Sequence, residues 1–253
     1  MRDVLTLLGS GIRNSYSALF FSRDSWVGLA LFLVTMLYPS SGLCGLFCCV
    51  TVNVLAIALS LDRFKVTNGL FGFNAVIVGV AVGSLFPVTL PLLGLLFALS
   101  IMILLLIAGW DALLSKYHLP YLVFPFLICL WTVLLLSQQR DGDFLFDCVF
   151  DGYGSMLPLN SPFLSCLSEN DFWITLPEWL TNYFLGLSCV LFRQDVMFGS
   201  LLAVILLCYS RIAFLYTFVN HLFAYFLFVK LGGDLFHLPY VCFGFNFILT
   251  SQQ

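Results

Sequence analysis

The sequence contains very little charge. Asp, Glu, Lys and Arg make up 9% of its 253 residues, against about 25% in an ordinary soluble domain. Hydrophobic residues account for 61%, and the mean hydropathy is +1.05. A soluble chain of this length could not hide so much apolar surface from water. The composition therefore predicts a membrane protein, and the net charge of -3 excludes a nucleic-acid partner.

The sequence also lacks the residue patterns of an intramembrane enzyme. It contains no His-Glu-x-x-His, no Gly-x-Ser-x-Gly and no pair of aspartates inside an apolar segment. Most of the nine cysteines lie in apolar runs, where they behave as small buried hydrophobic residues. Cys148 and Cys166 lie in a polar segment, where a disulfide remains an open alternative. We expect no catalysis, no cofactor and no metal.

Two segments of the chain recur at nearly the same distance. Gly-Leu-Phe-Gly-Phe-Asn at residues 69–74 returns as Val-Cys-Phe-Gly-Phe-Asn at residues 241–246, which is 172 positions later. Residues 19–24 return as residues 190–195, which is 171 positions later. Two separate pairs of similar segments whose offsets differ by only one residue indicate two tandem copies of one unit. In membrane proteins such copies commonly enclose a solute site at their interface.

The apolar segments predict about eight helices of different kinds. Residues 87–109 form the clearest spanning segment, and residues 119–136 predict another. Residues 69–85 combine glycines with Phe, Val and Ile, which is typical of a short, tilted or re-entrant helix beside a cavity. A second helix of this kind is expected from residue 242 onward.

The duplication divides the chain into three parts. We assign residues 1–136 to the first repeat and residues 173–253 to the second. Residues 137–172 concentrate Asp and Glu with Gly, Ser and Pro, which predicts an acidic extramembrane connector. By the repeat offset, most of the part of copy one that follows Asn74 has no counterpart in the sequence. We therefore expect an incomplete second repeat, and poor conduction by these residues alone.

The duplicated element resembles a segment of the urea transporter family. Residues 68–79 are similar to that family's Gly-Leu-Tyr-Gly-Phe-Asn segment. The family motif Leu-Pro-x-x-Thr-x-Pro-Phe matches residues 119–126 at four of its five fixed positions, although the prolines alone would also suit a kinked helix. The segments ending at Phe21 and Phe192 resemble the family's Gly-x-x-Gln-Val-x-Phe helix start. Together these motifs extend over essentially the whole chain apart from the connector.

The resemblance implies a fold and an assembly. It implies an all-α membrane protein of two inverted repeats, each with spanning helices and one tilted re-entrant helix, the second repeat being incomplete here. It also implies a homotrimer with one slot-like pore in each subunit, located in the plasma (inner) membrane. Urea or a similar small neutral amide would be the solute, and the lipid bilayer would surround the protein.

The chemistry of urea explains such a slot. Urea is planar and polar, with its N–H donors in the molecular plane, and removing its water is costly unless the hydrogen bonds are replaced. Acceptors must therefore lie along the edge, whereas the faces need only apolar contact. By resemblance, the wall residues are Phe73 and Phe245 on the slot faces, Ile77 and Leu249 one helical turn later, and Phe21 and Val190 at other positions. Phe73 and Phe245 are expected to face each other across one cavity.

The chain departs from the family at three polar positions. The mid-pore threonine of the family is replaced by Val123, and the glutamines at the pore entrance are replaced by Ala18 and Cys189. We therefore carry two functional hypotheses. The first is uncoupled passage of urea, and the second is a truncated or degenerate homologue that does not conduct.

Several of these residues also have plainer interpretations. Phenylalanine beside glycine in a membrane helix usually serves packing, but the matched duplication favours pore lining for Phe73 and Phe245. His221 lies in an apolar run and has no counterpart in copy one, which favours a packing role. Asp24 and Asp195 are expected to cap the helices that follow them.

Overall fold

The predicted helical architecture is confirmed by a computed structural model. The structure describes residues 2–20, 22, 24–117, 123–138, 177–193 and 195–230. These residues form helices and connecting turns, without any strand among them. The chain divides into two compact units, residues 1–149 and 150–253. The boundaries of the repeats and of the connector proposed from the sequence lie partly outside the described residues and stay a prediction.

The described part of the first unit contains seven α-helices and two 3₁₀ turns. The helices are α1 (Arg2–Ser17), α2 (Ser25–Thr35), α3 (Pro39–Ala58), α4 (Arg63–Thr67), α5 (Gly72–Leu85), α6 (Leu90–Leu114) and α7 (Phe124–Gln138). The 3₁₀ turns, Ala18–Phe20 and Ser115–Tyr117, extend α1 and α6. Helices α3 and α5 pack against each other, and α1 contacts both of them.

Two of these helices are long and apolar enough to cross a membrane. They are α3, with 20 residues, and α6, which reaches 28 residues with its 3₁₀ turn. The sequence Thr6–Phe20 followed by Ser25–Thr35 passes the same test as a pair bent by 85°, which would make a third, broken span. Helix α6 confirms the span expected at residues 87–109. Helix α7 has 15 residues and begins at Phe124, so the described helix is shorter than the span expected at 119–136.

Helix α5 is short and buried, as the glycine-rich sequence predicts. Its 14 residues extend for about 21 Å, less than the roughly 30 Å of a bilayer's hydrocarbon core. Gly69, with φ of +72°, makes the sharp turn that precedes the helix. From Gly72 to Gly83 every residue is buried except Ile77. A helix so enclosed by protein is not a lipid-facing span.

Glycines allow α3 and α5 to approach closely. A Cβ atom added at Gly79 would lie 2.7 Å from the Cα of Gly45, and one added at Gly45 would lie 2.7 Å from the side chain of Val80. A Cβ at Gly83 would meet the side chain of Cys44 at 2.8 Å. Small residues at a helix interface are a common means of packing helices in membranes. This interface fixes the position of α5 within the first unit.

An ion pair connects α4 to the end of α6. The ammonium group of Lys65 donates a hydrogen bond to the carboxylate of Asp111, and both side chains are about one-third exposed. Asp62 caps α4 by accepting a hydrogen bond from the backbone N–H of Phe64 at 3.0 Å. Lys65 is therefore paired, and Asp62 serves as the cap of α4. They hold the segment that leads into α5.

The described part of the second unit contains helices α8 (Glu178–Cys189), α9 (Val196–Tyr209) and α10 (Arg211–Lys230). Tyr183 on α8 is fully buried and shares a hydrogen bond of 3.1 Å with the hydroxyl of Thr217 on α10. Its ring lies edge-on to Phe218 at 5.2 Å and to His221 at 5.4 Å. His221 is buried within this aromatic cluster, which agrees with the packing role expected for it.

Candidate functional site

The turn between α1 and α2 shares a backbone hydrogen bond with the turn between α8 and α9. The backbone N–H of Ser22 donates to Ser17 at 3.1 Å, and that of Arg193 donates to Ser188 at 3.2 Å. Ser17 and Ser188 are 171 positions apart, as are Ser22 and Arg193. The offset first noticed between sequence motifs thus also relates these backbone contacts.

A glycine makes the same close approach after each turn. A Cβ atom added at Gly28 would lie closer than 3.0 Å to the carbonyl oxygen of Arg13, and one added at Gly199 would lie that close to the carbonyl oxygen of Phe184. Both pairs again differ by 171 positions. In each unit, therefore, the helix before the turn packs backbone to backbone against the helix after it.

The two aspartates at these turns differ in their roles. Helices α2 and α9 begin one residue after Asp24 and Asp195, as expected. The Asp195 carboxylate accepts a hydrogen bond from the backbone of Met197 at 2.9 Å and caps α9. The side chain of Asp24 makes no capping hydrogen bond, so the expectation is wrong for that residue. Asp24 is exposed while Asp195 is half-buried, so hydration can replace the cap only at Asp24.

One face of α5 carries two of the residues expected to line the pore. Phe73 and Ile77 are four positions apart and therefore lie one above the other on the helix. Phe73 is 8% exposed, and Ile77 is half-buried in a helix whose neighbouring residues are all buried. Ile77 thus marks the one place in the middle of α5 that the described part of the first unit leaves uncovered.

Two further candidates lie on elements that contact α5. The half-buried Ala18 opens the 3₁₀ turn Ala18–Phe20, and the half-buried Val123 directly precedes α7. Both the turn and α7 contact α5. The carbonyl oxygen of Val123 accepts the first helical hydrogen bond of α7, from Leu127 at 3.1 Å. The Val123 side chain itself offers no acceptor, either to cap the helix or to a passing solute.

The remaining candidates lie in the second unit or outside the described residues. Cys189 is the last residue of α8 and is half-buried, while Val190 follows it and is 7% exposed. Phe21, Phe245 and Leu249 lie outside the described residues. The expected approach of Phe73 to Phe245 across one cavity therefore stays a prediction.

A polar cluster that was not predicted from the sequence lies beside the start of α5. Ser15 on α1 and Asn53 on α3 are both fully buried, and both lie next to Gly72. The available signal was the placement of Asn53, an amide between two valines in a helix without charged residues. Among the described residues, no three His, Cys, Asp or Glu side chains are grouped so that they could hold a metal ion.

Comparison with known families identifies a match. The family described as Urea transporter matches residues 10–252, which is nearly the entire chain. Among curated proteins, none matches the sequence. The family match includes both copies of the duplicated element and all nine candidate positions.

Proposed function

Because the chain belongs to the urea transporter family, we propose that it carries urea by uncoupled, facilitated passage through a slot-like pore. Membership of this family implies an integral membrane protein of urea transport rather than an enzyme. The observation that carries the proposed mechanism is the apolar face of α5 that bears Phe73 and Ile77, on which Phe73 is buried and Ile77 is only half-buried. An apolar wall suits the flat face of a neutral solute.

The distribution of charge supports an uncoupled mechanism. Helices α2, α3, α5, α7 and α9 contain no Asp, Glu, Lys or Arg, and α6 has none before Asp111. Ionisable side chains at bilayer depth commonly bind the coupled proton or sodium ion in coupled transporters. These helices offer no such group, so urea would move down its own gradient.

The recurring turns support an internal duplication as the basis of the pore. Equivalent hydrogen bonds and equivalent glycine contacts occur in both units. We propose that the units are inverted repeats and that Phe245 and Leu249 supply the wall opposite Phe73 and Ile77. By the same resemblance, we propose a homotrimer in the plasma (inner) membrane, with the exposed apolar residues of α6 facing lipid or a neighbouring subunit.

A non-conducting homologue is the competing proposal. Its support is the loss of three polar positions, which are occupied by Ala18, Val123 and Cys189. Backbone carbonyls can replace side-chain acceptors, so conduction does not require those polar side chains. The purified chain in liposomes, followed by stopped-flow light scattering in a urea gradient, separates the two proposals.

Uncoupled conduction predicts a urea permeability above that of protein-free liposomes. This permeability should be unchanged when sodium is replaced by potassium and when an ionophore collapses the proton gradient. A rate that follows either ion gradient would contradict uncoupled passage. A permeability equal to that of protein-free liposomes would favour the non-conducting homologue.

Val123→Thr is expected to raise urea permeability by about 2- to 10-fold, because one added hydrogen bond is worth roughly 0.5–1.5 kcal/mol. The Val123 carbonyl accepts a hydrogen bond from Leu127, and threonine would add a side-chain acceptor at the same position. Val204→Thr adds the same hydroxyl at an exposed position of α9 and should leave the permeability unchanged. Equal permeability of both variants and the parent chain would show that the site does not need this acceptor.

A further inference from the structure

Asn53 lies at the point where α1, α3 and the start of α5 meet. It is fully buried, as are Ser15 and Cys49. Its amide nitrogen donates to the carbonyl oxygen of Cys49 at 2.8 Å, and the Ser15 hydroxyl donates to Gly11 at 2.6 Å. We call Ser15, Cys49, Asn53 and Gly72 the Asn53 cluster.

Two glycines give the Asn53 amide its space. A Cβ atom added at Gly72 would lie 2.8 Å from the amide nitrogen, and one added at Gly11 would lie 3.2 Å from the amide oxygen. The Gly72 Cβ would also collide with the Ser15 hydroxyl. The amide therefore fills the gap between the backbones of α1 and α5, and its size determines how closely the first turn of α5 approaches α3.

The segment before α5 is attached to the same region of α1. The Asn14 side-chain amide donates to the carbonyl oxygen of Thr67 at 2.7 Å. Gly69 follows with its backbone directly against Asn14 and Ser15, so that no side chain fits there. The turn and the first residues of α5 are thus held from two sides, by α1 and by Asn53.

The chemistry of Asn53 is unfavourable for a purely space-filling residue. Its amide oxygen is buried and accepts no hydrogen bond from the residues that the structure describes. An unsatisfied polar atom in an apolar interior costs free energy that an aliphatic side chain would avoid. The Asn53 amide instead provides a flat, rigid spacer whose nitrogen is hydrogen-bonded to the Cys49 carbonyl of its own helix.

We propose that Asn53 is a positioning residue that sets the width of the urea slot through the placement of α5. Phe73 follows Gly72 directly, and Ile77 lies one turn further along the same face, so a shift of the first turn moves both side chains. This inference rests on the proposed function, since it assigns a slot to that face. Asn53 does not touch the solute; it acts through Gly72.

The test compares two solutes that differ by one methyl group. In liposomes, Asn53→Ala is expected to raise the ratio of N-methylurea to urea permeability by about threefold or more, because a withdrawn spacer lets α5 shift and widens the slot. A merely structural loss would reduce the number of working channels and lower both permeabilities equally. An unchanged ratio would therefore overturn the proposal.

A control and a rescue sharpen the comparison. Ser100→Ala removes another buried polar side chain that donates to the carbonyl four residues earlier, on α6, and should leave the solute ratio unchanged. Asn53→Thr keeps a group that can donate to Cys49 and is expected to give a ratio between those of the parent and Asn53→Ala. If Asn53→Ala fails to assemble, the same test is made by comparing the ratio of N-methylurea to urea permeability between Asn53→Thr and Ser100→Ala.

Hydrogen exchange provides a readout that does not depend on transport. Asn53→Ala is expected to speed amide exchange at residues 71–77 by about tenfold, while α9 in the second unit stays as protected as in the parent chain. If the parent chain conducts no urea, the proposed function fails, and the exchange result alone decides the positioning role. Unchanged exchange at residues 71–77 would contradict that role.

Discussion

Gly28→Ala and Gly199→Ala are each expected to abolish assembly of the folded chain or to lower its stability sharply. In both cases the new Cβ atom would lie closer than 3.0 Å to a backbone carbonyl, that of Arg13 or of Phe184. A backbone oxygen in a packed helix cannot rotate away as a side chain can. Overpacking costs typically 1–3 kcal/mol and occasionally more, and a backbone clash belongs at the upper end, at about 3 kcal/mol.

The same substitution elsewhere provides a matched control. Gly94 and Gly109 on α6 have no atom within 4 Å of an added Cβ, so alanine should be neutral there or stabilise the helix by up to about 1 kcal/mol. Thermal unfolding in detergent, read by size-exclusion chromatography, compares the four variants. Equal unfolding temperatures for Gly28→Ala and Gly94→Ala would contradict the backbone packing described at the first turn.

Ile77→Trp is expected to reduce urea permeability by on the order of tenfold or more. Ile77 is the one residue between Gly72 and Gly83 that is not buried, so a larger side chain can project from it without disrupting the packing of α5. If this face borders the slot, the indole fills the space through which urea passes. The variant should therefore fold like the parent chain and yet conduct poorly.

A tryptophan at a surface position separates blockage from general damage. Leu105 on α6 is 64% exposed, and Leu105→Trp should leave urea permeability within about twofold of the parent value, since indole rings are readily accommodated at lipid-facing surfaces. Both variants would be reconstituted at equal protein-to-lipid ratios and compared by stopped-flow light scattering. Full urea permeability in Ile77→Trp would show that this face of α5 does not border the path of urea.

Much of the helical plan followed from composition and spacing. The uniform apolar run before Asp111 predicted α6, because a helix that crosses the bilayer needs about 20 consecutive apolar residues. The glycines around Phe73 predicted a short, enclosed α5, because close helix packing requires small residues. The offset of 171 positions predicted equivalent turns at Ser22 and Arg193, and the hydrogen bonds there agree with it.

Other features depend on tertiary contacts that no local pattern contains. Tyr16 near the end of α1 is fully buried, because the turn after α1 folds α2 back upon it and brings Phe32 to within 5.4 Å of its ring. Asp24 and Asp195 look equivalent in sequence, but their different exposure gives only Asp195 a capping role. Asn53 could not be assigned until Gly72 and Gly11 were found on either side of it.

Site-specific chemical blockage tests the role of α5 in urea passage most directly. In Ile77→Cys, a small, polar methanethiosulfonate reagent should abolish most of the urea permeability, and saturating urea should slow the reaction. Cys44, Cys48, Cys49 and Cys129 are buried, but Cys189 is half-buried and Cys208 is exposed. The background therefore carries serine at Cys189, Cys208, Cys148, Cys166 and Cys242, and the same background without Ile77→Cys serves as the control. The account predicts loss of permeability in the variant alone, with protection by urea. Complete modification at position 77 with full urea permeability retained would contradict it.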